Sequence, residues 1–426
     1  MSDFSTQLAS ALPQDTGSGP EWVNALRQNA AENFRTHGLP TRKDEAWKFT
    51  GLGTMGQNGV QLATGSSSVV SEGSSPKPLA ESECRVDMLD GNPKPGLTVL
   101  PLADALHQGV AGLQNLLESL PGPAPGSDSS AGFSALNTAT LETGVVIHVA
   151  AGTDAGRLSL SWSTRETRVP LLFNSRVCLI VEAGAKLELV EQFESMHENA
   201  NGSNIVLQAN VEENAVLNHV RFQQESEKAA LITRTEVSQQ ADSEYAYYGF
   251  DLGGGLVRHD LHASLLGSGA KSGINGAYLL DGSRHVDNHA KVDHIAPGCF
   301  SDQYFRGVAG GGGHAVFNTA VCVHPGADES EARQSNANIL LSTRAVVHTK
   351  PELEIYADEV VASHGATVGQ LDELAVFYLR SRGLNEQDAR QVLTTAFCQS
   401  VSDRLADPVL GGVISQRMMD VMPHAG

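Results

Sequence analysis

Apolar and polar residues alternate through Val257-Arg258-His259-Asp260-Leu261-His262-Ala263-Ser264-Leu265. The same period of two runs through residues 205–211 and 285–293. Strict alternation is typical of a strand that has one face in a core and the other in water. The period changes from helical to two near Val145 and returns to helical after Gly369. The middle of the chain is therefore predicted to be a long series of short strands.

These strands recur in a rough repeat. A turn followed by a small residue precedes a strand at Gly184-Ala185, Asn214-Ala215, Gly269-Ala270, Gly313-His314-Ala315 and Arg344-Ala345. The spacing predicts a unit of about 27–30 residues, with a further copy near Asp242 and one insertion. Such a unit, with two or three short strands and no helix, is typical of one coil of a solenoid. We predict a mainly β fold with a right-handed parallel β-helix core. The competing β-sandwich normally needs fewer residues, and it needs more hairpin dipeptides than the two Asn-Gly pairs in this strand-rich stretch, at 201–202 and 275–276.

Helical spacing flanks the strands on both sides. It runs through 21–34 and 102–120, and two or three amphipathic helices follow Gly369. Residues 51–95 are rich in Gly, Ser and Pro and are predicted to form loops, and 121–127 are predicted to be a linker. We divide the chain into an N-terminal helical region with such loops (1–140), a β-helix core (141–369) and a C-terminal helical domain (370–426). The terminal helices are expected to cover the open ends of the solenoid.

Composition excludes several classes of protein. A formal net charge of −20 argues against non-specific binding to nucleic acid or to an acidic membrane. No apolar run is long enough to span a bilayer, and the N-terminus lacks the pattern of a signal peptide. The five cysteines are scattered and never form Cys-x-x-Cys, which indicates a reducing cytoplasm rather than a disulfide framework or a four-cysteine cluster site. Cys178 and Cys322 lie in Val- and Leu-rich strands and are predicted to be small buried hydrophobic residues.

The sequence contains no complete match to the catalytic motifs considered. The nearest approach to a phosphate-binding loop, 267–272, lacks the glycine before its lysine, and no Gly-x-Ser-x-Gly elbow occurs. His285, Asp287 and His289 share one strand face, where adjacent members could hold a metal ion, but the wet face of a strand is the favoured interpretation. His259 lies on an apolar face and is predicted to be a hydrogen-bonded core residue. Residues 351–369 gather acidic groups, a histidine and glycines, and by themselves indicate a domain junction with tight turns.

Several segments resemble the SufB/SufD family of iron–sulfur cluster assembly proteins. They are Lys43-Asp44-Glu45-Ala46-Trp47-Lys48-Phe49-Thr50, together with 301–308, 315–318, 332–342, 350–358, 364–369 and 377–383. SufB-like members carry His-Glu-Ala-Thr where this chain has His364-Gly365-Ala366-Thr367, and a cysteine near 334–338 that is absent here. The resemblance is therefore to the SufD branch, with a SufB-type paralogue as the close alternative.

The resemblance implies a non-catalytic scaffold subunit. It would pair with a SufB-like paralogue through the β-helix, or form a homodimer when that paralogue is absent. It would bind a SufC-like ABC ATPase through the C-terminal helices, for which the candidate contact residues are Leu371, Leu374, Phe377, Tyr378 and Arg380. In the family, the histidine that matches His364 is implicated in assembling the nascent cluster, so His364 is the candidate cluster-assembly residue and metal ligand. The iron–sulfur cluster would be transient in the complex, with none bound tightly by this chain alone.

One position departs from the family, and two other functions remain to be weighed. Many members carry a cysteine two residues before the histidine, where this chain has Ala362. A β-solenoid polysaccharide lyase or glycosidase would need paired carboxylates flanking a groove, and usually a secretion signal and aromatic platforms. Aromatic residues make up only 5% of the chain, which argues against it. A purely structural interaction module is the third possibility.

Overall fold

Two long sheets form the body of the molecule. The computed structural model describes residues 2–13, 19–63, 67–71, 82–88, 94–120, 131–164, 166–195, 198 and 200–423. The helices are α1 (Asp3–Ala11), α2 (Glu21–His37), α3 (Gly53–Gln57), α4 (Leu102–Gln108), α5 (Leu113–Glu118), α6 (Gly132–Ala139), α7 (Glu373–Ser381), α8 (Glu386–Ser402) and α9 (Pro408–Asp420), with a 3₁₀ turn at Glu45–Trp47. The predicted linker at 121–127 lies outside the described residues.

The strands occupy most of the chain after residue 140. They are β1 (Gln61–Leu62), β2 (Ser67–Ser71), β3 (Ser82–Met88), β4 (Leu97–Pro101), β5 (Gly144–Val149), β6 (Asp154–Thr164), β7 (Leu171–Val181), β8 (Lys186–Ser195), β9 (Gly202–Val211), β10 (Val216–Gln224), β11 (Ala230–Gln239), β12 (Glu244–Asp251), β13 (Leu256–Leu265), β14 (Lys271–Leu280), β15 (His285–His294), β16 (Phe300–Ala309), β17 (His314–Val323), β18 (Ser330–Leu340), β19 (Val346–Ile355) and β20 (Val360–Gly369). The loops predicted for 51–95 therefore also contain α3 and three of these strands.

Consecutive strands alternate between the two sheets, which makes the body a parallel β-solenoid with two strands in each coil. Sheet A runs in the order β19-β17-β15-β13-β11-β9-β7-β5-β4, and sheet B in the order β2-β3-β6-β8-β10-β12-β14-β16-β18-β20. The ladders from β5 to β20 are all parallel, for example Leu256↔His285 and His285↔His314. The predicted solenoid is confirmed, since a sandwich joined by hairpins would show antiparallel ladders.

The repeat has no insertion. Turns with a left-handed residue precede the sheet B strands at Gly184, Asn214, Asp242, Gly269 and Gly298, which confirms the predicted copy at Asp242. Gly313 and Arg344 instead precede sheet A strands. The sequence analysis treated turns before sheet A strands and turns before sheet B strands as one series. Passing from one kind of turn to the other adds half a coil to the spacing, and this half coil was interpreted as an insertion.

The core lies between the sheets and is filled by the inward members of the alternating pattern. Ile205, Leu207, Val257, Leu261 and Val286 are all at most 4% exposed and belong to one apolar cluster. Burial of these rows stabilises each coil on its neighbours, at roughly 25 cal/mol per Å² of apolar surface. Stability is therefore distributed along the stack.

The helices lie on the outer faces of the sheets rather than over both ends of the solenoid, contrary to the prediction. The N-terminal helices α1, α2 and α6 pack on the start of the sheet A strands, around Phe34, Leu136 and Leu172. Helices α7 to α9 pack on sheet B, where Cys398 and Met418 meet Phe250. Strands β3 and β4 close the first coil by antiparallel pairing with β6 and β5. Among the described residues, no helix is long and apolar enough to cross a bilayer.

Candidate functional site

The last coil ends the solenoid with two unpaired edges. Strands β19 and β20 each have a single hydrogen-bonded neighbour among the described strands, and each terminates its sheet. Tyr356 is 60% exposed and Val361 68% exposed, and both lie on the last coil. An exposed edge with apolar side chains is a template for pairing with another chain. β19 carries Pro351, a residue confined to edge strands, while β20 contains no proline.

His364 lies on this open coil, in β20. The register pairs it with Gln334 of β18, whose side chain points into the solenoid and is 4% exposed. His364 therefore continues an inward-facing row, but no further coil covers it, and the residue is exposed. The segment 351–369, which the sequence analysis assigned to a junction with tight turns, contains the end of β19, a bend at 356–359 and all of β20. Gly365 and Gly369 lie within β20 and have ordinary backbone angles.

A polar column lies below His364 inside the solenoid. The Gln334 amide nitrogen donates to Thr319 Oγ1 at 3.1 Å, and Thr319 donates to Gln303. The Gln334 Oε1 atom is buried and has no hydrogen-bond partner among the described residues. Burying a polar atom without a partner is costly, so this acceptor is available to a group entering from the open end.

The resemblance segment at 332–342 supplies the support for β20. Asn338 donates from its amide to the Thr367 carbonyl at 3.1 Å, and Tyr278 donates to Asn338 Oδ1 at 2.6 Å. Asn336 donates to the Tyr278 hydroxyl at 3.1 Å. These amides occupy inward positions beside the last coil, where the preceding coil carries Phe305 and Gly307, so this end of the interior is polar.

Ala362 lies two residues before His364 on the same side of β20, opposite Ala332. It is partly buried and packs against the end of the core. A cysteine here would place its thiol beside the imidazole, since alternate residues of a strand share a face. In this chain that thiol is replaced by a methyl group, and the candidate ligand from β20 is His364.

Helix α7 presents an apolar surface to solvent directly after β20. Leu374, Phe377 and Tyr378 are 78%, 69% and 57% exposed. Leu371 precedes the helix, is 8% exposed and belongs to the apolar cluster between the C-terminal helices and sheet B. Arg380 pairs with Glu386 of α8 at 3.3 Å. The residue that α7 buries is Val376.

His285, Asp287 and His289 form a buried ion-pair network rather than a wet face. Arg258 of β13 donates to both Asp287 and Asp260. Asp287 also accepts from Thr50 and lies 2.9 Å from His289 Nε2. Burial alone would raise the pKa of Asp287, but Arg258 and His289 outweigh burial and hold that pKa well below its usual range. Because Arg258 already neutralises the carboxylate, this group is a structural anchor and not a metal centre.

The anchor holds down the N-terminal resemblance segment at 43–50. The ring of Trp47 lies under the Arg258 guanidinium, 4.1 Å from its centroid, and stacks on Phe133. Arg258 donates to the Ala46 carbonyl at 2.7 Å, and the Thr50 hydroxyl lies 2.8 Å from His285 Nε2. The segment therefore covers sheet A, which alternation in the sequence could not indicate.

Inside the solenoid, the structure contains a polar network that sequence reasoning missed. His219 Nε2 lies 2.9 Å from Glu191, and Arg221 donates to Asp251 at 2.6 Å. The predicted core residue His259 is confirmed: it is 3% exposed and stacks on Tyr247. Burial lowers the pKa of His259 well below its ordinary value. The available signal was the presence of charged residues at inward positions of β8 and β10, which can be recognised only when the register is known.

The five cysteines are all free and buried. Cys178 packs among aliphatic residues under α4 and α5, as predicted. Cys322 is 8% exposed, but it faces outward from sheet A in a polar setting beside Asp293 and His324. Its strand is rich in valine because the alternate positions, such as Val321 and Val323, fill the core. The predicted apolar environment of Cys322 is therefore wrong, although its burial is confirmed.

Sequence comparisons relate most of this chain to known proteins. The family model described as SUF system FeS cluster assembly, SufBD core domain, matches residues 164–397, which is more than half of the chain. An iron–sulfur cluster assembly SufBD family protein of Synechocystis is 30% identical over 404 residues, 92% of this chain and 89% of that protein. The chloroplastic protein ABCI7 of Arabidopsis thaliana is 30% identical, with 94% and 87% covered. The iron–sulfur cluster assembly protein SufD of Escherichia coli is 28% identical, with 93% and 92% covered.

Proposed function

This chain belongs to the SufBD family of iron–sulfur cluster assembly proteins, and from that premise we propose that it is a non-catalytic scaffold subunit of a SufBCD-type complex. Its last coil pairs with a SufB-like paralogue, and α7 binds a SufC-like ABC ATPase. The observation that carries the proposal is the state of the last coil. Strands β19 and β20 each end a sheet, and His364 continues an inward-facing row that no further coil covers.

A second solenoid is the occupant that an open end of this kind fits best. Two edge strands, one from each sheet, would both gain neighbours if a partner with the same two-sheet cross-section docked end to end. The apolar residues Tyr356 and Val361 would then be covered. A paralogue of the same fold satisfies this requirement. When it is absent, a second copy of this chain satisfies it too, which supports a homodimer.

In this arrangement, His364 acts at the junction between the two solenoids. A neutral imidazole is a ligand for iron, and His364 lies on the open face above the polar column of Gln334. The cluster is the cargo of the reaction, held in the complex by His364 and by groups of the paralogue, and not tightly by this chain alone. The free cysteines fit a reducing cytoplasm, where we propose the protein works.

The ATPase would bind the apolar surface of α7. Leu374, Phe377 and Tyr378 form a compact apolar patch on a helix that follows β20 by a few residues. Movement of a partner on α7 would therefore be transmitted directly to the strand that carries His364. No catalytic group of this chain is needed for that role.

Co-purification with both partners tests the proposal. Val361→Glu should abolish pairing with the paralogue and leave ATPase binding unchanged, while Phe377→Glu should do the opposite. Charging a central interface residue costs about 2 kcal/mol or more, roughly thirtyfold in affinity. The matched controls are Leu266→Glu and Val409→Glu, which place the same charge at exposed apolar positions elsewhere, 41% and 74% exposed. Retention of both partners by Val361→Glu and Phe377→Glu would refute the proposal.

A further inference from the structure

A compact group of metal-ligand side chains lies on the outer face of sheet A, near the ends of β15 and β17, whereas His364 and α7 belong to the sheet B side. Asp293, Cys322 and His324 each offer one ligand atom, and these atoms lie within 4.8 Å of one another. In the part of the chain that the structure describes, this is the single group of three such residues. From this group we infer that the protein binds one divalent transition-metal ion of the zinc and ferrous-iron class through Asp293, Cys322 and His324.

The solenoid itself creates this juxtaposition. The register pairs Asp293 of β15 with Cys322 of β17, and Cys322 with Glu354 of β19. Neighbours of these residues, such as Val292 and Val321, point into the core, so the three side chains form a row on the outside. His324 follows β17 directly and lies on the same side. Ligands from successive rigid coils are held at a fixed spacing of about 4.8 Å, the distance between strands.

The distances between ligand atoms fit a tetrahedral ion. Asp293 Oδ1 and His324 Nε2 are 3.2 Å apart. With metal–oxygen and metal–nitrogen distances near 2.0 Å, the corresponding edge of a tetrahedron is about 3.3 Å. A thiolate bound at about 2.3 Å needs edges slightly longer than this, well within the observed 4.8 Å limit. A small rotation of Cys322 or His324 therefore brings all three atoms to ligand distance.

A second layer of residues orients the carboxylate. His262 Nε2 lies 2.6 Å from Asp293 Oδ2, and its Nδ1 lies 2.9 Å from Glu236. Lys291 also bonds Asp293 through Oδ2, at 2.9 Å. Both of these partners occupy Oδ2, and Oδ1 is left facing His324. Hydrogen bonds of this kind fix the orientation of a ligating group and tune its affinity.

This group differs from the histidines near Arg258 in the charge that it presents. Arg258 occupies the Asp287 carboxylate there, whereas no arginine approaches Asp293 Oδ1 among the described residues. His324 is 42% exposed, so an ion can reach the group from solvent. Glu354 stands beside the thiol and offers an oxygen atom as the fourth ligand. Thiolate, imidazole and carboxylate together favour zinc or ferrous iron over magnesium or calcium, which prefer oxygen ligands.

Cobalt(II) is the probe that tests this inference, on the full-length protein, reduced and freed of metal. Saturable binding of one equivalent should produce thiolate-to-cobalt charge-transfer absorption and the visible bands of a tetrahedral ion. Cys322→Ser should remove the charge-transfer absorption, and His324→Gln and His262→Gln should each weaken binding at least tenfold. Lys291→Met should tighten binding severalfold, since it removes a neighbouring positive charge.

Cys299→Ser is the matched control, because Cys299 is also buried but lies in a turn before a sheet B strand. It should keep the full absorption. Circular dichroism and the thermal midpoint of each metal-free variant establish that it is folded. In the same series, zinc should protect the Cys322 thiol of the native protein from a thiol reagent. Charge-transfer absorption that survives Cys322→Ser, or the absence of saturable one-to-one binding by the folded protein, would overturn the inference.

Discussion

Replacement of Arg258 by methionine should detach the N-terminal segment from sheet A. Arg258 is 2% exposed in its side chain, and its partner Asp287 is 1% exposed. Removing one member of a buried ion pair leaves the other charge uncompensated, which costs about 3–5 kcal/mol. The lost hydrogen bond to the Ala46 carbonyl adds about 1 kcal/mol, whereas methionine keeps part of the contact with Trp47. We expect Arg258→Met to lower the free energy of unfolding of this segment by about 4–6 kcal/mol.

Fluorescence of Trp47 reports this loss directly. The chain has three tryptophans, so Trp22→Phe and Trp162→Phe leave Trp47 as a local probe. In urea, the emission of Trp47 should shift to longer wavelength well before the solenoid loses its circular dichroism, because coils that contact only their neighbours unfold non-uniformly. Adding Asp287→Asn to Arg258→Met should recover part of the stability, since the isolated buried charge is then gone.

The control for this experiment is Arg333→Met. Arg333 pairs with Glu331 but is 59% exposed in its side chain, and exposed pairs contribute about 0–1 kcal/mol. A loss for Arg258→Met as small as that of Arg333→Met would contradict the reasoning. So would an unshifted emission of Trp47, because the network would then not be what holds the segment in place.

Three further predictions follow from other parts of the solenoid. The His364→Ala variant should fold and bind both partners normally, since truncation of an exposed side chain changes stability by about 0.5 kcal/mol or less. The reconstituted complex that contains this variant should assemble clusters more slowly. A normal rate of cluster assembly would show that His364 is not part of the site. Gly307→Ala should lower the free energy of unfolding, measured by heat or urea, by about 1–3 kcal/mol, because a Cβ there would lie 2.1 Å from the Tyr278 ring. The control Gly365→Ala places its Cβ in open space and should leave stability unchanged. Equal effects of the two variants would mean that the interior is not close-packed. Burial lowers the pKa of His285 to about 4, so below pH 6.5 the unfolded chain binds more protons than the folded protein. The free energy of unfolding should therefore fall as the pH is lowered from about 6.5 to 4. In urea titrations, His285→Asn should reduce this dependence on pH, and an unchanged dependence would contradict the prediction.

Alternation and spacing were sufficient to predict the class of fold. The period of two in β9, β13 and β15 reports burial of one strand face, which is a local property of the residues. The helix at α2 is likewise local, and it was predicted from the helical spacing at 21–34. The repeat was predicted only in outline, because turns into sheet A and turns into sheet B carry the same small residues.

The positions of the polar side chains on each strand were predictable, but their environments were not. His285, Asp287 and His289 were placed on the outer face correctly, and only the fold showed that 43–50 covers them. Cys322 was assigned to an apolar setting because its sequence neighbours are valines, and the residues that approach it come from adjacent coils about 30 residues away.

From the sequence alone came the solenoid, the helical ends and the residues that resemble the SufBD family. These depend on period, turn residues and local segments. Tertiary structure alone placed the helices on the outer faces of the sheets, left the last coil with His364 uncovered, and brought Asp293, Cys322 and His324 together. The physical reason is that stacking register and face-to-face packing join residues far apart in the chain, and no local pattern of residues encodes which coil lies beside which.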